Sequence, residues 1–283
     1  MIIDLRCRPP LKEFRDYFDI PRITWHGKRT GAKEVSKAFV EGSMDLFFDE
    51  MDAAGIDQAV VLGRNSPGVS MGRKFNPAFI RNETIAELQD KYPRRFIGIA
   101  GIDCTNTVHD GAMETERAIR QLGLKGIFLE PGRGLGVGPD DERLFPIYEK
   151  CLELNVSVNV MSGPFAGPDI DATNPLYIDR LATRYPELRI ICGHGNYPYV
   201  QEILGVALKH PNIYVSPDMY IFAPGGQGYV MAANSLLQDQ IVFGSSYPLM
   251  PLGQAVYDSK HLGFEKNILE KYFFENARKA LGI

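Results

Sequence analysis

Two arginines stand two residues apart near the start of the chain, Arg6 and Arg8. On a strand, a spacing of two turns both side chains to the same side. Each guanidinium is permanently charged, and its planar fork matches a carboxylate or a phosphate, so the pair has the chemistry of anion recognition. The alternative is internal pairing with Asp4, Asp103, Glu130 or Asp218. His194, followed by Gly195, titrates near neutral pH and suits a general base. Asp218, in Ser216-Pro217-Asp218-Met219-Tyr220, could orient it, or could be a turn residue beside a structural histidine. Glu130 ends an apolar run and either faces a cavity or pairs with an arginine. Ser246 and Tyr247 offer hydroxyls to a ligand or fill space. Cys7 lies between the arginines, which would lower its pKa, but the same spacing points it away from them, so packing is its simpler role. Gly132, Gly134, Gly136 and Gly138 could wrap a phosphate with backbone N–H groups, yet no G-K-[ST] ending follows.

These residues need a scaffold that brings them to one place. Short apolar runs occur at Ile2–Leu5, Gln58–Leu62, Phe96–Ile102, Gly126–Leu129, Ser157–Met161, Arg189–Cys192, Ile213–Val215 and Ile241–Phe243. Helical patterns alternate with them. Ser43 opens one that Gly55 closes. Thr107-Val108-His109-Asp110 suits a capping box for a helix through Leu122. Others are expected at Asn76–Lys91, Leu144–Leu154, Pro175–Tyr185, Val200–Lys209, Gln227–Leu237 and Glu265–Leu281. Strand and helix in alternation specify parallel βαβ units, and eight strands close a (β/α)8 TIM barrel. An open doubly wound sheet would want a glycine-rich turn after the first strand, and Arg6-Cys7-Arg8-Pro9-Pro10 is not one. One α/β domain over residues 1–283 is expected. Its long βα loops are Arg6–Gly42, Gly63–Phe75 with the basic Arg64, Arg73 and Lys74, Glu130–Asp141 and Ser162–Asn174. In such barrels these loops carry the chemistry.

The composition agrees. The chain has 283 residues, 45% hydrophobic and 23% charged, enough for a large core and unlike a disordered, collagenous or coiled-coil chain. No run of about 18 apolar residues occurs, so no membrane span is expected. A net charge of −4 gives no general attraction to nucleic acid or to a membrane surface. Four dispersed cysteines without a C-x-x-C, and an N-terminus unlike a signal peptide, read as reduced thiols in a cytoplasmic protein.

Several segments, in order, resemble the amidohydrolase-related family, the branch of metal-dependent barrel hydrolases and decarboxylases that includes the aminocarboxymuconate-semialdehyde decarboxylases. They are Ile2-Ile3-Asp4-Leu5, Gly55-Ile56-Asp57-Gln58-Ala59-Val60-Val61, Tyr92-Pro93-Arg94-Arg95-Phe96-Ile97-Gly98, Asp140 through Glu149, Ile191-Cys192-Gly193-His194-Gly195, Ile241 through Pro248, and Glu275 through Gly282. The resemblance implies a TIM barrel and a divalent metal held by H-x-H after strand one, a histidine after strand five, a histidine after strand six and an aspartate after strand eight. At those positions this chain has Arg6 and Arg8, Met161, His194 and Ser246. A catalytic zinc site takes about three ligands from His, Cys or carboxylate, and guanidinium repels a cation. The expectation is therefore no metal and no other cofactor, with one divalent metal such as zinc on unrecognised ligands as the alternative. The leading expectation for function is a metal-independent hydrolase of a small carboxylated lactone or ester. His194 and Asp218 would be catalytic. Arg6, Arg8, Glu130, Ser246 and Tyr247 would bind substrate. The rivals are a metal-dependent amidohydrolase or decarboxylase with non-standard ligands, and a non-catalytic anion-binding barrel. The expected partner is a small anionic substrate, not nucleic acid or membrane, and a homo-oligomer is compatible with it.

Overall fold

Seven of the eight apolar runs pair side by side, all parallel, in the computed structural model, which describes residues 1–66, 69–70, 73–74 and 78–283. The strands are β1 (Ile3–Cys7), β2 (Gln58–Leu62), β3 (Phe96–Gly101), β4 (Gly126–Leu129), β5 (Ser157–Met161), β6 (Ile190–Gly193) and β7 (Ile213–Ser216), hydrogen-bonded in chain order. Residues 240–243 close the ring. Val215 N donates to Gln240 O at 2.8 Å, Val242 N to Val215 O at 3.0 Å, and Leu5 N to Phe243 O at 3.1 Å. The eighth run thus bridges β7 and β1 without the longer pairing of a full strand, and the barrel expected from the sequence is the fold.

Alternation along the strands makes two cores. Ile3, Leu5, Val60, Leu62, Ile97, Ile99, Phe128, Ile191 and Val242 fill the barrel, and Ala277, Ala280 and Leu281 of the last helix close one end. Phe96, Val158, Val160, Cys192 and Phe243 face the surrounding helices. In β1 the register against β2 shifts between Asp4 and Cys7. That irregularity breaks strict alternation, as a bulge does beside a site. Arg6 consequently lies over Phe128 of the inner core, with Cζ 5.3 Å from the ring centroid, while Cys7 packs in the outer core.

Helices whose caps are local follow the sequence closely. One spans Met44–Ala54, with Ser43 Oγ accepting from Leu46 N at 3.2 Å and Gly55 in the left-handed region at φ 74°. The helix Val200–Lys209 also keeps its expected bounds, without a side-chain cap at its N-terminus. Elsewhere boundaries move. The helix expected from Thr107 spans Gly111–Arg120, because Asp110 rather than Thr107 caps it. The one expected from Asn76 spans Asn82–Lys91, because Ala78–Ile80 pairs antiparallel with Arg64–Ser66. Phe75 and Asn76, which bounded those two expectations, lie outside the described residues. The first loop carries helices Lys12–Tyr17, Ile20–Arg29 and Lys37–Glu41. Asp19 caps the second through Arg22 N at 2.8 Å, and Pro21 pre-sets its first turn. Among the described residues no helix is long and apolar enough to cross a membrane.

Candidate active site

The C-terminal strand ends meet at a cavity of about 500 Å³. Five arginines line it, Arg6, Arg8, Arg22, Arg64 and Arg133, with Glu130 as the one carboxylate among the described lining residues. Arg6 and Arg8 come from β1 and its end, Arg64 from the end of β2, Glu130 and Arg133 from the turn after β4. Arg22 comes from the second helix of the first loop.

Glu130 is fully engaged. Arg64 Nε and Nη2 donate to its two oxygens at 2.6 Å each, and Arg133 Nη1 lies 3.3 Å from Oε1. Burial opposes the Arg64 charge, but Glu130 overrides it and holds the guanidinium above its ordinary value. Arg133 also donates to Phe165 O at 2.7 Å and to the Tyr17 hydroxyl at 3.0 Å. Tyr17 accepts from Arg22 Nη2 as well, at 2.9 Å. Its oxygen therefore takes two donors, and its own O–H has no acceptor among the described residues.

Arg6 and Arg8 are less well answered. Arg6 Nε is 3.3 Å from Asp218 Oδ2, a close contact rather than an in-line hydrogen bond, and Nη2 points to Met161 Sδ at 3.2 Å. Burial lowers its pKa. Arg8 has no ion pair to any described carboxylate, and its buried Nε has no hydrogen-bond partner there. Its Cζ sits 5.4 Å from the Phe18 ring centroid. Burial, then Arg6 and Arg64, push it down to about 9. A buried cation in that state is held at a cost unless an anion joins it.

His194 and Asp218 are brought together as the sequence suggested. Asp218 Oδ2 accepts from His194 N at 3.1 Å and lies 3.0 Å from Nδ1. Nδ1 makes no in-line hydrogen bond, so orientation comes mainly through the backbone contact. Ser216 Oγ donates to the other Asp218 oxygen. Burial and then Arg6 lower His194 to about 4 although Asp218 works the other way, so the imidazole is uncharged at neutral pH. Burial opposes the Asp218 charge, yet His194 and Arg6 hold its carboxyl below the usual range. His194, Asp218 and Ser246, each just past a strand, have φ of 72°, 55° and 61°. Non-glycine residues rarely adopt that region, and where they do the strain tends to mark a site. Two glycines make room: a Cβ on Gly193 would overlap the Arg6 guanidinium, and one on Gly244 the Asp218 carboxylate.

The remaining expectations divide. Ser246 lines the cavity, with its buried Oγ unpartnered among the described residues. Tyr247 does not line it, which corrects its expected place in substrate binding. Its ring lies against Phe39 and Phe47, and its hydroxyl is 2.7 Å from Ser36 Oγ. The turn at Ser246 sends the two neighbours to opposite sides. Asp4 bonds Ser245, and Asp103 caps its own loop at Thr105, Thr107 and Val108, so neither answers the arginines. The sequence reading missed Tyr17, Arg22 and Arg133. The signal for the first two lies in the first loop, where Lys12, Arg15, Arg22, Lys28 and Arg29 alternate with Phe14, Tyr17, Phe18 and Trp25, and nothing local marks Arg133.

Residues 39–283 match the amidohydrolase family, and the chain belongs to it. Among curated proteins it is 34% identical over 90 residues to a 2-amino-3-carboxymuconate-6-semialdehyde decarboxylase of Dictyostelium discoideum, over 31% of this chain and 24% of that one. It is 29% identical over 136 residues to a 2-keto-4-carboxy-3-hexenedioate hydratase of a Sphingobium strain, over 40% and 39% of the two chains. The matches thus span well under half the length of these relatives. Among solved structures, an uncharacterized TIM-barrel protein of Bordetella bronchiseptica superimposes with a TM-score of 0.90 and 36% identity, over 99% of this chain and 98% of that one. A 5-carboxyvanillate decarboxylase of Novosphingobium aromaticivorans, solved with manganese and a nitrobenzoic acid, superimposes at 0.69 and 19% identity, over 100% and 96%.

Manganese in that decarboxylase, and in a dihydroxybenzoic acid decarboxylase of Polaromonas of the same fold, overturns the expectation that a barrel of this kind works without a cofactor. The donor set does not explain how this chain would hold such an ion. Among the described residues, no three His, Cys, Asp or Glu side chains are placed to bind a metal. Arg6 and Arg8 occupy the centre, and Asp218 already faces Arg6 and His194.

Proposed function

We propose that this chain is an enzyme that removes a carboxyl group as CO2 from a small molecule carrying more than one acidic group. The observation that carries the substrate class is the imbalance of the cavity among the described residues: five guanidiniums, one lining carboxylate already engaged by Arg64, and Arg8 in no ion pair with any of them. The names of the relatives support the reaction, since the first curated one and the manganese-bound structure are decarboxylases. Lactone or ester hydrolysis, the leading expectation from the sequence, has no counterpart in the relatives described above.

Arg8 and Arg6 would grip one carboxylate through charge-assisted bonds. In decarboxylation the C–C bond to another carboxyl breaks, its electron pair stays on the carbon or spreads into a conjugated system, CO2 leaves, and that carbon takes a proton. Tyr17 supports the last step, because its O–H is the lining hydroxyl with two arginine donors on its oxygen and no acceptor of its own among the described residues. The charge left on that oxygen would face Arg22 and Arg133, and a proton from water would restore it. His194, uncharged and held by Asp218, would accept a hydrogen bond from an acidic substrate group. A second reading is addition of water to an unsaturated acid with His194 as base, favoured by the neutral imidazole and by the hydratase relative.

The test is a panel of hydroxyaryl and unsaturated polycarboxylic acids together with lactones and neutral esters, with and without added manganese, followed by mass spectrometry for loss of CO2, gain of water or hydrolysis. Loss of CO2 from at least one acid supports the first reading, and gain of water the second. Turnover of lactones or neutral esters alone would overturn both.

A further inference from the structure

A second cavity of about 540 Å³ adjoins the arginine cavity and shares His26, Phe165 and Tyr220 with it. Its character is different. Five of its ten described lining residues carry aromatic rings, and Arg29 is the one charged residue among them. Trp25, His26 and Phe165 contact one another, with centroids 4.7 Å apart for Trp25 and His26, 4.8 Å for His26 and Phe165, and 6.2 Å for Trp25 and Phe165. From the catalytic side a second series runs outward: Tyr220 lies edge-on to His194 at 5.3 Å and stacks on Tyr197 at 5.0 Å and 10°. Trp25 is 45% exposed, a large apolar surface left open beside the site. The Arg29 guanidinium covers one of its faces at 3.9 Å and so holds the ring in place. Burial keeps His26 uncharged at neutral pH, with its pKa lowered to about 4, so its ring presents no cation to the space.

Two adjoining chambers, one cationic and one aromatic, fit a molecule with two ends. We infer that the outer chamber is a subsite for a planar apolar group, an aryl ring, on the side of the substrate away from its carboxylates. This rests on the carboxylate reading of the inner cavity and extends it: the natural acid carries a second ring or an equally flat unsaturated extension. Aromatic rings prefer offset or edge contacts with other rings, and Trp25, Phe165 and Tyr197 offer such surfaces around one space. An acid that ends within the arginine cavity leaves that surface open to water.

The experiment is calorimetry on the purified chain with two acids that share one head, isophthalate and biphenyl-3,5-dicarboxylate. The second acid is expected to bind at least about tenfold more tightly, the scale of a few aromatic contacts. Trp25→Ala should erase that gain while changing isophthalate affinity by less than about threefold. Phe165→Leu, which keeps an apolar body where the two chambers meet, should reduce it in part. Equal affinity of the two acids, or a gain untouched by Trp25→Ala, would overturn the subsite while leaving the carboxylate reading intact. Failure of isophthalate itself to bind would overturn the carboxylate reading and the subsite with it.

Discussion

Arg64 closes both oxygens of Glu130 in a fork, with both bonds at 2.6 Å, and Glu130 makes no ion pair with Arg8. On the proposed reading, Arg8, which no described carboxylate pairs, is held for an anionic ligand. Such an arrangement exchanges stability of the empty protein for affinity.

Arg8→Met should therefore act in opposite directions on folding and on binding. Removing a buried cation that no described carboxylate pairs, while keeping apolar volume, should stabilise the empty chain by about 1–4 kcal/mol, a rise of a few degrees in melting temperature. It should weaken isophthalate binding by about 1.5–3 kcal/mol, the loss of a charge-assisted bond. Thermal melts and calorimetry on the same preparation check both signs.

Glu130→Gln should reverse that pattern. Arg64 and Arg133 lose their shared carboxylate and become free to meet a ligand. The empty chain should lose about 3–5 kcal/mol, as when one member of a buried pair is removed, and dicarboxylate affinity should rise. Urea unfolding with and without ligand reads the two effects.

His194 sets a pH dependence whose sign follows from its depressed pKa. The unfolded histidine takes its proton near pH 6.5 and the folded one near 4. Between those values the unfolded chain binds more protons, so this group destabilises the fold progressively as pH falls from about 6.5 to 4, by up to about 3 kcal/mol. Above that window its effect is absent. An anion between Arg6 and Arg8 offsets the charges that help depress His194, so binding near pH 5–6 should take up protons. Calorimetry in buffers of different ionisation enthalpy should show that uptake, and His194→Gln should remove it.

Asp218→Asn should keep the fold's unusual backbone, because asparagine tolerates the left-handed region better than most residues. It removes the charge opposite Arg6 and His194. Stability should fall by about 3–5 kcal/mol, and the His194 pKa should drop further, so that the acid-side loss of stability becomes larger. Chemical denaturation across pH 4–7 distinguishes this from a simple packing defect, which would shift the curve without changing its shape.

Much of this was legible in the chain because the signals are local. Ser43 and Gly55 name both ends of a helix by their own chemistry, and the apolar runs from Ile2 to Phe243 mark the staves of the barrel. The pairing of His194 with Asp218 could be anticipated because strand ends of such a barrel converge on one mouth. The convergence of Arg22 and Arg133 with Arg8 could not, since it depends on how the first loop folds over β4. That loop reads as irregular because its helices are short and interrupted at Phe18 and Gly31. Tyr247 was misplaced for a related reason: the left-handed turn at Ser246, invisible in composition, decides which neighbour faces the cavity.

The most direct test of the account is a crystal structure of the chain with isophthalate. One carboxylate is expected in the cavity, with oxygens at about 2.7–3.2 Å from the Arg8 and Arg6 guanidiniums and the ring directed toward His26 and Phe165. A cavity without the acid at saturating concentration, or the acid bound elsewhere with Arg8 still unpaired, would contradict it.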